Sequence, residues 1–228
     1  MKLILFEVVN LKDDVKTFVF SSNEIVNWIP GQFLHITLNH PDEDDRGHER
    51  WFTISSAPSE GKIAITTRIV SNKPSSFKLA LNALNQGDEI EADHPDGDFI
   101  IQGPDANYIF VAGGIGITPF RSIIKQASLN KIMPNITLLY ANRTVEVAFQ
   151  NELDDIQLAY SNLKIRYVFS PAKIDKALLS QTIESNDNPL IYVSGPEPMV
   201  ESFDKILKDI GLDSKNIKTD FFPGYQAF

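Results

Sequence analysis

The stretch Val111-Ala112-Gly113-Gly114-Ile115-Gly116-Ile117-Thr118-Pro119-Phe120 decides the fold of this chain. It closes a continuous apolar run, Tyr108–Ala112, and opens a segment with helical periodicity, Pro119–Leu129. An unbroken apolar run of that length reads as a strand buried on both faces, as in parallel sheets. Gly114 and Gly116 permit a tight turn and a close approach of backbone to a ligand. Thr118 is placed to cap the helix, and Pro119 suits its first turn. The unpaired N–H groups and dipole at such a helix start favour phosphate. Gly113, Gly114, Gly116, Thr118 and Pro119 are therefore candidate nucleotide-binding residues. The pattern departs from the standard dinucleotide fingerprint. Its last position is Pro rather than Gly, and the second strand ends in Tyr140-Ala141-Asn142-Arg143, with no acid for a ribose hydroxyl.

Outward from this junction, the downstream half alternates strand and helix. Strands are expected at Ile136–Tyr140, Ile165–Phe169 and Leu190–Ser194. Helices are expected at Val147–Ala159, Asp175–Ser185 and Pro198–Ile210. That alternation predicts a doubly wound parallel sheet. The upstream half has a different period. Phe6–Val9, Val15–Phe20, Phe33–Leu38, Arg50–Ile54, Lys62–Ile69 and Asp88–Ala92 are short, rich in β-branched and aromatic residues, and separated by turn signals such as Pro30-Gly31. They predict a six-stranded antiparallel barrel, with one helix at Ser75–Asn85. The boundary between the halves is expected near Gly103-Pro104, giving domains 1–103 and 104–228.

Composition narrows the chemistry. The chain of 228 residues has no cysteine, which excludes disulfides, thiolate catalysis and cysteine-held zinc or iron–sulfur centres. Its four histidines show no metal-ligand spacing. The net charge of −9 argues against nucleic acid as a partner. Residues 1–103 carry nine Lys and Arg against sixteen Asp and Glu, a net of −7, so most of the negative field lies on the barrel half. No apolar run approaches the ~20 residues of a membrane span. The opening MKLILFEVVN is too short for a signal peptide core, so a cytoplasmic location is expected. The acidic run His40–Glu49 reads as a solvated loop rather than a cation site.

Further motifs complete a pattern that resembles the ferredoxin–NADP reductase superfamily over nearly the whole length. Arg50-Trp51-Phe52-Thr53 stands for the family's Arg-x-Tyr-Ser. Asn72-Lys73-Pro74-Ser75-Ser76 stands for its Gly-x-x-Ser before a helix. The Gly-x-Gly-x-x-Pro is Gly114 to Pro119. Ser194-Gly195-Pro196-Glu197-Pro198-Met199 stands for Cys-Gly-x-x-x-Met, and Asp220-Phe221-Phe222 for the acid–x–aromatic near the C-terminus.

The resemblance implies a flavin-binding barrel followed by a nicotinamide-nucleotide domain, with FAD as cofactor and NADPH or NADH as electron donor. It implies that Arg50 contacts the flavin pyrophosphate, with Trp51 beside it. Phe52 stacks near the isoalloxazine, Thr53 hydrogen-bonds near its N5, and Ser75 or Ser76 meets phosphate, with Asn72 in the glycine position. Gly195, Pro196 and Met199 shape the nicotinamide loop, and Phe222 covers the flavin ring, unless Tyr225 or Phe228 in the tail takes that role. Thr53, Thr118, Ser194 and Phe222 are expected to line hydride transfer. Arg143 is a candidate for a 2′-phosphate, whereas Ser170-Pro171-Ala172-Lys173 lacks the Ser-Arg of NADP-binding relatives, so the donor stays NAD(P)H. The acceptor stays open between a ferredoxin- or flavodoxin-type protein, free flavin, a ferric complex, a quinone or an oxygenase component. The alternative function is a non-catalytic flavin- or nucleotide-binding regulatory module, for which Ser194 in place of cysteine speaks.

Overall fold

In the computed structural model, residues 1–12, 14–69 and 74–222 are described. The first half forms six strands: β1 (Lys2–Lys12), β2 (Val15–Ser21), β3 (Phe33–Thr37), β4 (Glu49–Thr53), β5 (Ile63–Arg68) and β6 (Glu89–Ala92). They make one antiparallel sheet in the order β4-β3-β6-β1-β2-β5. A bridge between Ile54 and Ile65 brings its two ends together and rounds it towards a barrel. Alternation explains the interior: Leu3, Phe18, Phe20, Leu34, Ile36, Phe52, Ile54 and Ile65 point inward. Helix α1 (Ser76–Ala83) adds Phe77 and Leu81 to that core.

The second half holds β7 (Asn107–Gly113), α2 (Thr118–Leu129), β8 (Asn135–Asn142), α3 (Gln150–Ala159), β9 (Leu163–Phe169), α4 (Lys176–Glu184), β10 (Leu190–Pro196), α5 (Glu197–Asp209) and β11 (Ile217–Phe222). The sheet is parallel, in the order β11-β10-β7-β8-β9. The residues of β7 divide by parity. Tyr108, Phe110 and Ala112 pack with α2 and α3, while Ile109 and Val111 pack with α4 and α5. Helices therefore cover both faces, which is why the strand reads as continuously apolar. Phe110 stacks on Phe120 of α2 at 4.6 Å between ring centroids, fixing the helix over the strand it follows.

The chain leaves β7 in one direction for β8 and β9, and reaches β10 and β11 on the other side. The order reverses between β7 and β10. Ligand crevices in such sheets lie beyond the strand C-termini at that reversal. Gly113, Ser194-Gly195-Pro196 and Asp220-Phe222 all end strands there. β11 is a strand that the sequence pattern does not predict, and β1 begins at Lys2, four residues before the expected Phe6. Among the described residues no helix is long and apolar enough to cross a membrane.

Candidate functional site

The glycine turn is built by packing against the neighbouring strand. A Cβ on Gly116 would lie 2.2 Å from the Ser194 carbonyl oxygen, and one on Gly113 would lie 2.3 Å from Met199 Sδ. A Cβ on Gly195 would meet Met199 Cε at 2.5 Å. These three glycines let β7, β10 and α5 close on each other. The close approach expected towards a ligand is, in this structure, towards the protein's own chain. Gly114 does supply the turn, with φ of 54°. A 3-10 turn over Gly114–Ile117 then runs into α2. Thr118 is not the cap expected of it. It lies inside the first turn, and its Oγ1 donates to the Ile115 carbonyl at 3.2 Å. Met199 fills the core beneath the loop, and Pro196 packs against Gly113.

Three polar side chains from distant parts of the chain converge at the strand ends. Thr53, from β4, places Oγ1 3.5 Å from Asp220 Oδ2 on β11. Ser194 is the register partner of Asp220 on β10 and is fully buried. Its Oγ makes no hydrogen bond within the geometric limit among the described residues, yet it lies near enough to favour the charged carboxylate. Burial outweighs both hydroxyls and pushes the Asp220 carboxyl up to about 6. The sequence reading quoted Asp220 within its motif but did not place it among the site residues. Its position on an edge strand, opposite a residue 167 positions away, is the missing information.

The remaining flavin-side candidates divide across β4. Arg50 and Phe52 share the inward side. The Arg50 guanidinium lies 5.3 Å from the Phe77 ring centroid, and Phe52 lies 5.8 Å from the same ring. Arg50 Nη1 donates to the carbonyls of Arg46, Gly47 and Glu49. Its Nη2 is buried and lacks a partner among the described residues. Trp51 points the other way, is 60% exposed and stacks on His35 at 4.4 Å, so it does not join Arg50 and Phe52.

At the start of α1, Ser75 Oγ accepts the Lys78 N–H at 3.2 Å and serves as the helix cap. Ser76 N–H donates to Asp44 Oδ2 at 2.8 Å, and Ser76 Oγ accepts from Asp44 N–H at 3.0 Å. The acidic loop is thus only partly solvated, because Asp44 sits on the helix start where phosphate was expected. The Arg46 side chain and the Ser76 N–H hold its carboxyl well below the usual carboxylate range. Among the described residues no cluster of acids and histidines suits a metal.

Asn142 ends β8 with a buried Nδ2 that makes no hydrogen bond within the geometric limit among the described residues, though the side chain lies by the Tyr140 hydroxyl, and Arg143 beside it is exposed. Phe222 ends β11 opposite Pro196. Asn72, Tyr225 and Phe228 lie outside the described residues.

Comparison with known proteins follows the same division. Residues 110–205 match a family profile described as an oxidoreductase NAD-binding domain. A flavohemoprotein of Burkholderia sp. (strain TH2) is 25% identical over 225 residues, covering 92% of this chain and 56% of the relative. The ferredoxin reductase component of 3-ketosteroid-9-alpha-monooxygenase from Mycobacterium tuberculosis is 26% identical, covering 100% of this chain and 66% of the relative. The chain thus spans about half to two thirds of these relatives. Among solved structures, the flavohem-like FAD/NAD-binding domain of nitric oxide dioxygenase from Vibrio cholerae superposes with a TM-score of 0.82 at 19% identity, over 97% of this chain and 98% of that one. Ferredoxin-NADP+ reductase from Plasmodium falciparum gives 0.81 at 20% identity, over 97% and 95%. At these identities the two structures establish the shared two-sheet fold.

Proposed function

We infer that this chain is a member of the ferredoxin–NADP reductase-like superfamily and an NAD(P)H-dependent flavoprotein reductase. The observation that carries the reading is the convergence of Thr53, Ser194 and Asp220 at the strand reversal, where β4 of the first sheet meets β10 and β11 of the second. We assign the flavin to residues 1–103 and the nicotinamide nucleotide to residues 104–228.

The residues present fit the flavin. Arg50 Nη2 is a buried donor without a partner among the described residues, which suits a phosphate oxygen. Bound flavin would supply the two-electron chemistry, which no side chain here can provide. The protein's part is geometry and proton supply. Phe52 is packed inward against Phe77, and Thr53 Oγ1 offers a hydroxyl at the meeting point. Asp220, with its carboxyl raised to about 6, can hold or release a proton near neutral pH through that hydroxyl.

The acceptor is a partner protein or a small molecule. A barrel half with net charge −7 repels an acidic ferredoxin or flavodoxin, which favours a neutral or basic acceptor. A non-catalytic flavin- or nucleotide-binding regulatory module is the second reading, favoured by Ser194 standing where the resembled family has cysteine.

Arg50→Ala tests the assignment. FAD retention on gel filtration should fall at least tenfold, the scale of a lost charge-assisted hydrogen bond, while NAD(P)H affinity by calorimetry stays within twofold. Equal losses for both would remove Arg50 from the flavin site.

A further inference from the structure

We propose that Arg121, with Ser122 beside it, is a positioning residue that sets the distance between the flavin strand and the nucleotide helix. The inference rests on the reading just given, that β4 serves the flavin and α2 serves the nicotinamide nucleotide.

Arg121 lies in the first turn of α2, three residues after Thr118. All five of its N–H groups are used. Nε donates to Glu152 Oε2 at 2.9 Å and Nη2 to Glu152 Oε1 at 2.8 Å, a bidentate pair with α3. Nη2 also donates to Glu60 Oε1 at 2.8 Å, and Nη1 donates to Glu60 Oε2. The remaining Nη1 proton goes to the Ser55 carbonyl at 3.0 Å. Ser122 Oγ, fully buried, donates to the next carbonyl, Ser56, at 2.6 Å. Two neighbouring side chains of α2 therefore grip two consecutive peptides that follow Thr53-Ile54.

The gripped segment is itself rigid. Ser55 Oγ donates to the Ala64 carbonyl at 3.1 Å and shares a hydrogen bond with Thr66 Oγ1 at 2.8 Å, both on β5. Ser56 Oγ accepts from Ala64 N–H at 2.9 Å. Glu60 is held at the same time by the Ala57 N–H at 2.6 Å. Further along α2, Gln126 exchanges hydrogen bonds with Ser59 at 2.9 and 2.7 Å. The charges balance, since Lys125 Nζ lies 2.9 Å from Glu152, giving two cations against two carboxylates. Arg121 is only 12% exposed, so these bonds work where water screens them little.

The consequence is geometric. Thr53 lies two residues from Ser55, and Thr118 lies three residues from Arg121. Both neighbours of the transfer geometry hang from one guanidinium by less than ~10 Å of chain. A planar fork fixes both distance and angle, which a lysine ammonium at the same place does not. A displacement of ~1 Å between reacting groups slows transfer on the order of a hundredfold while leaving binding intact.

The test uses the full chain loaded with FAD, with anaerobic stopped-flow reduction of the flavin by NADH and by NADPH. Arg121→Lys should lower the saturating reduction rate on the order of tenfold to a hundredfold. Nucleotide Kd should stay within threefold and flavin content should equal that of the wild type. Ser122→Ala should act in the same direction with a smaller effect, and it carries the test if the lysine variant does not fold. Lys125→Ala, which spares all five Arg121 bonds, should leave the rate unchanged. A wild-type rate in both Arg121→Lys and Ser122→Ala would overturn the proposal. So would a loss confined to flavin content, which would assign the pair to stability alone. Failure of the wild type itself to be reduced by either nucleotide would instead remove the functional reading beneath it.

Discussion

At the start of α1, Ser75 Oγ and the Asp44 carboxylate satisfy backbone donors of the first turn, whereas at the start of α2 no side chain among the described residues does so. Both helices follow motifs expected to receive phosphate. The first is closed by the protein's own anion, whereas the second is entered from a 3-10 turn in which the Thr118 N–H donates to the Ile115 carbonyl. The physical reason is the loop before each helix. The segment before α1 meets the acidic run around Asp44, which folds back because Arg50 Nη1 gathers the carbonyls of Arg46, Gly47 and Glu49. The turn before α2 is squeezed between β7 and β10 by glycines and has no side chain to lend. A phosphate at α1 therefore competes with a carboxylate, while at α2 no side chain of the described residues stands in its way.

The largest expected effect breaks the second helix start. Gly116→Ala places a methyl 2.2 Å from the Ser194 carbonyl oxygen, and backbone cannot yield as a side-chain tip can. Stability should drop by about 3 kcal/mol or more, read from urea midpoints. Nucleotide binding should fall with it.

Next is Asp220→Asn. In the wild type the flavin reduction rate should show a step with an apparent pKa near 6, and the variant should lack it. Stability has a matching sign. The folded carboxyl titrates near 6 and the unfolded one near its ordinary 3.8, so between these the folded state binds more protons. Wild-type stability relative to Asp220→Asn should therefore fall as pH rises through about 4 to 6. A flat difference across that window would place the carboxylate in water.

Smaller effects sharpen the contrast at α1. Ser75→Ala should cost about 1 kcal/mol through the lost cap, seen as a lower Tm. Asp44→Asn should leave the fold intact and raise FAD affinity, because the competing charge is gone, with NAD(P)H affinity unchanged. A fall in FAD affinity would make Asp44 a support of the site rather than its competitor.

Much of this was readable from sequence where the signal is local. The continuous run at Tyr108–Ala112 meant a doubly covered strand, and alternation gave the inward side of β2 and β3. β11 was missed because Ile217-Lys218-Thr219-Asp220-Phe221-Phe222 mixes polar and apolar residues, as an edge strand covered on one side does. The site was legible to the same extent. Ser75 caps α1, and Thr53 and Ser194 each lie by Asp220. Trp51 could be separated from Arg50 and Phe52 only by the parity of β4. Asp220 acquires its raised carboxyl from burial between two sheets, and Arg121 acquires its grip from Glu60 and Glu152, 61 and 31 residues away. Such long-range pairings leave no trace in spacing.

The most direct test of the central claim is an anaerobic titration of the FAD-loaded chain with NADH and with NADPH, followed by the visible absorbance of the flavin. The account predicts that at least one nucleotide bleaches the flavin stoichiometrically, one flavin per nucleotide. A chain that retains FAD yet keeps its full absorbance with both nucleotides would contradict it.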